Sequence, residues 1–164
     1  KDGAADADLI YGNIDYIDEA DRFLFPWRSP STKWIRSFMA FYSPLPQQGT
    51  LFRRSLYEAI DGFDEDFRYS ADYDFWVRAL GSGCRVQKYT ERSVAGFRLL
   101  VEQLSQSKKG EMAPEGIAIR ERLRAGNSGA TNALLGNWAK LYRVFSNLDS
   151  RYIKASRGRD LDKR

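Results

Sequence analysis

The sequence predicts a mixed α/β fold: a mixed sheet flanked by helices, followed by a helical, basic C-terminal region. Short apolar runs of strand character alternate with segments of helical spacing in the first two thirds of the chain. From about Gly110 helical spacing takes over and Lys and Arg accumulate. The expected division is therefore residues 1–109 and 110–164.

Residues 9–17 alternate between apolar and polar positions after Gly12, as a half-buried strand does. A turn at 18–21 leads into a second short strand at 22–27, and the Pro/Ser segment 26–32 interrupts regular structure. Trp34, Phe38, Phe41 and Tyr42 follow at near-helical spacing and are expected in the core. Gly49 permits a tight turn before a short strand beginning at Thr50. Ser55 and Glu58 form a Ser-x-x-Glu capping-box pattern, opening a short helix that should end with Gly62 as a left-handed residue. The next helix should start near Ser70 and stop at Gly81-Ser-Gly83, with two strands after it at 84–89 and 93–99. Beyond Gly110 the pattern predicts a helix at 117–124, a turn at 125–127 and a helix at 132–145. That last helix should bury Leu134, Leu135, Trp138, Leu141 and Phe145, and residues 156–164 should fray.

Composition removes several chemistries. The 164 residues contain no histidine and one cysteine, Cys84. A catalytic triad, a Cys-His pair, a histidine-ligated zinc and an internal disulfide are thereby excluded. Proton transfer near neutral pH falls first to a carboxylate. A reducing compartment fits the lone cysteine, which should be buried or half-buried. No apolar run approaches the ~20 residues that span a bilayer. The chain begins at Lys1-Asp-Gly with a strand almost at once, which leads one to expect a cut within a larger protein. Net charge is +4, but residues 120–164 hold 11 Lys/Arg against 4 Asp/Glu, leaving residues 1–119 at −3. Such a basic region suits a solvated helix face or an anionic membrane surface. It lacks a helix-turn-helix, zinc or aromatic single-strand signature, so nucleic acid is not an expected partner.

Asp72 and Asp74 lie at the head of the predicted helix, where the macrodipole favours carboxylates. At ~100° per residue their side chains diverge by roughly 200°, so one pocket cannot receive both. Gln47, Gln48 and Thr50 combine donors with acceptors, as a polyhydroxylated ligand requires, and turn stabilisation is the alternative use of the same groups. Arg53 and Arg54, if on a strand, point to opposite faces, so at most one reaches a phosphate or sugar acid. Asp6-Ala-Asp8 reads as surface turn chemistry.

Five segments in order, Ala7-Asp-Leu-Ile-Tyr-Gly-Asn13, Gln47-Gln-Gly-Thr-Leu-Phe-Arg-Arg54, Gly62-Phe-Asp-Glu65, Ala71-Asp-Tyr-Asp-Phe-Trp76 and Phe97-Arg-Leu-Leu100, together resemble the acceptor-binding half of a family-2 glycosyltransferase of the GT-A fold. The likeness runs from about Asp6 to about Ser105. It implies a partial GT-A-like sheet and a bacterial, inverting transferase of polysaccharide or cell-envelope biosynthesis. Such an enzyme moves sugar from a nucleotide-sugar donor to a glycan or lipid-linked acceptor, in the cytoplasm or peripherally at the inner membrane face. Asp72 takes the place of the general base, and Gln47, Gln48, Thr50, Arg53, Tyr73 and Asp74 are expected to bind substrate.

Two departures accompany the likeness. Leu100 stands where many relatives carry a metal-binding histidine, so Arg98 alone is left to meet the diphosphate, and no ligands are identified for the family's divalent Mg or Mn. Ala71 stands where many relatives carry glutamate. The donor-binding half with its Asp-x-Asp motif has no counterpart in the chain. On this reading the 9–17 strand would lack its neighbours and present an open edge, and the isolated chain would be inactive. The competing expectation is a carbohydrate-binding or interaction module without catalysis.

Overall fold

Strand β1 (Leu9–Ile17) organises the molecule. The computed structural model describes residues 6–100 and 109–152. Antiparallel to the second half of β1 runs β2 (Phe23–Trp27), with Ile14 opposite Trp27 and Tyr16 opposite Phe25. Asp18 closes the hairpin between them, because its Oδ1 accepts from the backbone N–H of Ala20 and Arg22, both at 2.9 Å. After helix α1 (Thr32–Phe38) and a 3₁₀ turn at Gln47–Gly49 comes β3 (Thr50–Phe52), antiparallel to the first half of β1.

Helices α2 (Arg54–Ala59) and α3 (Ala71–Gly81) then lead to β4 (Val86–Arg98), which runs parallel to β1 along its whole length. The described sheet is mixed and four-stranded, and β1 is its centre. The open edge expected at β1 therefore does not exist: β4 covers one side, and β3 and β2, end to end, cover the other. The two strands expected at 84–89 and 93–99 are one, since pairing jumps from Gly12↔Tyr89 to Asn13↔Ser93 across a bulge. Gly12 is required beside that bulge, because a Cβ there would lie 2.7 Å from both methyls of Val94.

On one sheet face Leu9 and Tyr11 join Ile35, Met39, Phe75, Trp76, Ala79 and Leu80 in the core. The Tyr11 hydroxyl donates to the Pro30 carbonyl at 2.8 Å, which satisfies a buried donor. Cys84 is buried, and that burial pushes its thiol pKa up, so the thiol stays protonated. The capping box expected in α2 is not formed. Arg53 is the N-cap residue, without a side-chain cap, and Glu58 instead pairs with Arg54 at 2.7 Å. The helix ends in a Schellman pair, Gly62 N–H to Tyr57 O and Asp61 N–H to Glu58 O. The left-handed C′ residue is thus Asp61 (φ 61° is found at Asp21, 60° here), with Gly62 (φ 66°) one place further on.

Helix α4 (Lys109–Arg124) starts well before the expected 117, carrying Pro114 within it, and α5 (Gly129–Ser146) is capped by the Ser128 hydroxyl accepting from Thr131 N–H. The apolar stripe of α5 is not buried as expected. Leu134, Leu141 and Phe145 are 72%, 50% and 66% exposed, and Ala139 is the buried residue of that helix. Among the described residues no helix is long and apolar enough to cross a membrane. The fraying expected at 156–164 lies outside the described residues, as does the 101–105 end of the family likeness.

Candidate functional site

A cleft of about 610 Å³ opens over the C-terminal half of β1. Its floor is apolar, made by Ile14 and Tyr16 of β1, Trp27 of β2 and Phe97 of β4. Tyr16 is held by ring contacts on both sides, Phe25 at 4.6 Å and Phe97 at 5.2 Å. The 3₁₀ turn supplies one wall with Gln47 and Gln48, both exposed, and the head of α3 supplies another with Ala71 and Asp72. Gly49 lets that turn lie against the sheet, since a Cβ there would sit 2.7 Å from Ile14 Cγ2.

Asp72 faces this cleft half-buried, and burial raises its pKa above the ordinary carboxylate value. Its Oδ1 accepts from Tyr73 N–H at 2.7 Å, and no described cation lies within ion-pair distance of it. A carboxylate so placed binds a proton more readily than one in water, which is the property a general base uses.

Asp74 does not line the cleft. It is 1% exposed, receives Arg78 Nε at 2.6 Å and Arg122 Nη2 at 2.8 Å, and so ties α3 to α4. Arg78 is fixed further by the carbonyls of Ile60 and Gly62, at 2.5 and 2.7 Å. Both carboxylate oxygens of Asp74 are thus engaged by arginines, the structural use that a carboxylate in the first turn of a helix suggests, and not by the cleft.

The head of α3 is built from a distance. Glu115 of α4 accepts three successive backbone N–H groups, from Arg68 at 3.0 Å, Tyr69 at 2.9 Å and Ser70 at 2.8 Å. These hydrogen bonds hold its pKa below the usual carboxylate value against the opposing effect of burial. A carboxylate at a helix N-terminus also complements the macrodipole. The clamp presents Arg68 on the cleft rim, its guanidinium 5.3 Å from the Tyr69 ring centroid. Sequence reasoning missed both Glu115 and Arg68, for nothing within three or four residues of either signals the contact.

Of the other residues expected to bind substrate or diphosphate, Gln47 and Gln48 line the cleft and four do not. Thr50 is buried, and its hydroxyl donates to Pro46 O at 2.7 Å. Arg53 Nε donates to Ala7 O at 2.9 Å, fastening β3 to the entry of β1. Tyr73 stands behind Asp72 with its hydroxyl donating to the Met39 carbonyl, and burial pushes its pKa up to about 12. Arg98 reaches across the β1–β2 hairpin to Glu19 O at 2.9 Å and Asp21 Oδ1 at 2.7 Å, on the opposite strand face from Phe97. The residue expected at the diphosphate is therefore a hairpin clamp.

Asp8, read from the sequence as surface turn chemistry, binds a distant residue instead: its carboxylate receives Arg85 N–H at 2.8 Å and Arg85 Nη2 at 3.3 Å. Leu100 is 42% exposed. Among the described residues no group of three or more His, Cys, Asp or Glu comes together. Comparison of the chain with family models, curated proteins and solved structures found no match.

Proposed function

We propose that this chain is the acceptor-binding part of an inverting glycosyltransferase similar to family 2 of the GT-A fold, with Asp72 as its general base. The observation that carries the reading is the desolvated Asp72 carboxylate, with no described cation beside it, facing a cleft walled by Gln47 and Gln48. The glutamine amides would hold acceptor hydroxyls by donating and accepting at once. The Asp72 carboxylate takes the proton of the attacking hydroxyl as its oxygen bonds to the anomeric carbon. The bond from that carbon to the nucleotide diphosphate breaks, and the electron pair leaves with the diphosphate. The aromatic floor of Tyr16, Trp27 and Phe97 offers an apolar surface for a sugar ring. The donor-binding half would be another segment or chain. Such a transferase would work in the cytoplasm, at the inner membrane face when its acceptor is lipid-linked, and the basic C-terminal region suits that surface.

The engagement of Arg98 in the hairpin favours a second reading, a carbohydrate-binding module without transfer chemistry. Saturation-transfer NMR of the 164-residue chain against a panel of soluble glycans tests both. Binding lost in Gln47→Ala/Gln48→Ala and kept in Asp72→Asn is expected. Turnover of a nucleotide sugar once a donor-binding half is supplied selects the transferase, and binding without turnover selects the module. If no glycan contacts the cleft, both readings fail.

A further inference from the structure

Away from the Asp72 cleft, a second cavity of about 300 Å³ lies between the end of α1, the end of α4 and helix α5. Three cations line it, Arg124, Lys140 and Arg143, and no carboxylate does. Among the described residues none of the three has an acidic partner within ion-pair distance, unlike Arg78 and Arg122, which share Asp74. Like charges gathered in a concavity repel one another, and the field between them is focused by its low-dielectric walls. An anion relieves that repulsion.

The geometry narrows the anion. Arg124 Nε is held by Arg120 O at 3.2 Å, which fixes the guanidinium plane and leaves both Nη nitrogens as a fork suited to paired oxygens. Phe41 and Tyr42 form an aromatic wall, and Arg143 lies 5.3 Å from the Tyr42 ring centroid. Gly136 lets this wall close on α5, since a Cβ there would stand 3.0 Å from Phe41 Cε1. Asn137 adds an exposed amide at the rim.

We infer that this cavity binds the phosphate or diphosphate group of a ligand whose organic body packs on Phe41 and Tyr42. The site is separate from the proposed acceptor cleft, and nothing in it depends on Asp72. The phosphate belongs either to a soluble phosphorylated compound or to a lipid headgroup.

Isothermal titration with pyrophosphate at constant ionic strength, and sedimentation with phosphatidylglycerol against phosphatidylcholine vesicles, test the site and separate the two sources. The protein is the full chain and its Lys140→Gln/Arg143→Gln variant. Arg54→Gln, which removes a cation that does not line the cavity, controls for net charge, and thermal melting controls for folding. Saturable pyrophosphate binding that weakens at least about tenfold in the double variant, and not in the control, supports a soluble ligand. Vesicle binding that weakens likewise and is competed by pyrophosphate assigns the same site to a headgroup. Should arginine-to-glutamine change at Arg54 weaken binding as much, or should neither probe bind saturably, the proposal is overturned. If the double variant fails to fold, Arg124→Gln provides the same reading with one charge removed.

Discussion

Asp72 and Asp74 sit two residues apart on α3, and that interval gives them opposite surroundings: Asp74 lies between Arg78 and Arg122 while Asp72 meets no described cation. The divergence follows from helix geometry, because a two-residue step turns the side chain by roughly 200°. One carboxylate therefore spends its charge on holding α4 against α3. The other keeps its charge for the cleft.

Asp74→Asn should destabilise the fold by about 2–4 kcal/mol, since it leaves two arginines facing a neutral buried amide. The figure stays below the upper end for a buried pair because Arg78 and Arg122 are 28% and 58% exposed. Urea denaturation measures it. A loss under about 0.5 kcal/mol would place the pair among surface ion pairs, contrary to the burial of Asp74.

Asp72→Asn should behave in the opposite way. Burial raises the Asp72 pKa above 3.8, so the folded state resists its ionisation. Its contribution to stability is intact below the unfolded pKa and is lost as pH rises through the higher folded one. The asparagine variant carries no such loss. Its melting temperature relative to the parent should climb from pH 3.5 toward pH 7, while any sugar transfer drops by about 10²–10⁴-fold. A flat difference across that range would show that the carboxylate is not desolvated.

Glu115→Gln should cost about 1 kcal/mol at neutral pH, the scale of a lost helix cap, because an amide has only one oxygen to share among three N–H donors. The Glu115 pKa lies below its ordinary 4.5. Its contribution is thus present above pH 4.5 and is lost as pH falls through the folded value. The two proteins should converge in acid. A deficit that persists undiminished at pH 2.5 would mean that the charge is irrelevant to the clamp.

What the sequence disclosed was local. Alternation after Gly12 marks β1, Gly81-Ser-Gly83 ends α3, and Gln47 and Gln48 come to the cleft because a turn before a strand projects its polar groups outward. Thr50, Arg53 and Arg98 have side chains as polar, but nearby carbonyls of Pro46, Ala7 and Glu19 occupy them. Only the folded backbone determines where those carbonyls lie. The Glu115 clamp joins residues 45 to 47 positions apart, beyond any periodic signal. The single long β4 escaped notice because the charged residues of its bulge read as a break between strands.

Helix α5 carries the clearest instance, and a prediction. Leu134, Trp138, Leu141 and Phe145 recur at helical spacing, which identifies a face and not a neighbour for it. The helix meets α1 through Trp138, edge-on to Trp34 at 5.6 Å, and Tyr142, edge-on to Phe38 at 5.3 Å, while Gly136 lets Phe41, just past α1, come close and Ala139 is buried. Small side chains permit that approach, and hydropathy gives them little weight. Replacing Leu134, Leu141 and Phe145 together by lysine should change stability by less than about 0.5 kcal/mol per site, as at other exposed positions. Ala139→Leu should cost about 1–3 kcal/mol by overpacking a fully buried position. Because a contiguous exposed apolar stripe promotes association, the triple variant should also remain monomeric to higher concentration than the parent in sedimentation velocity. A triple variant that melts many degrees lower would mean that the stripe is covered in solution, and its association state would then show whether a second copy covers it.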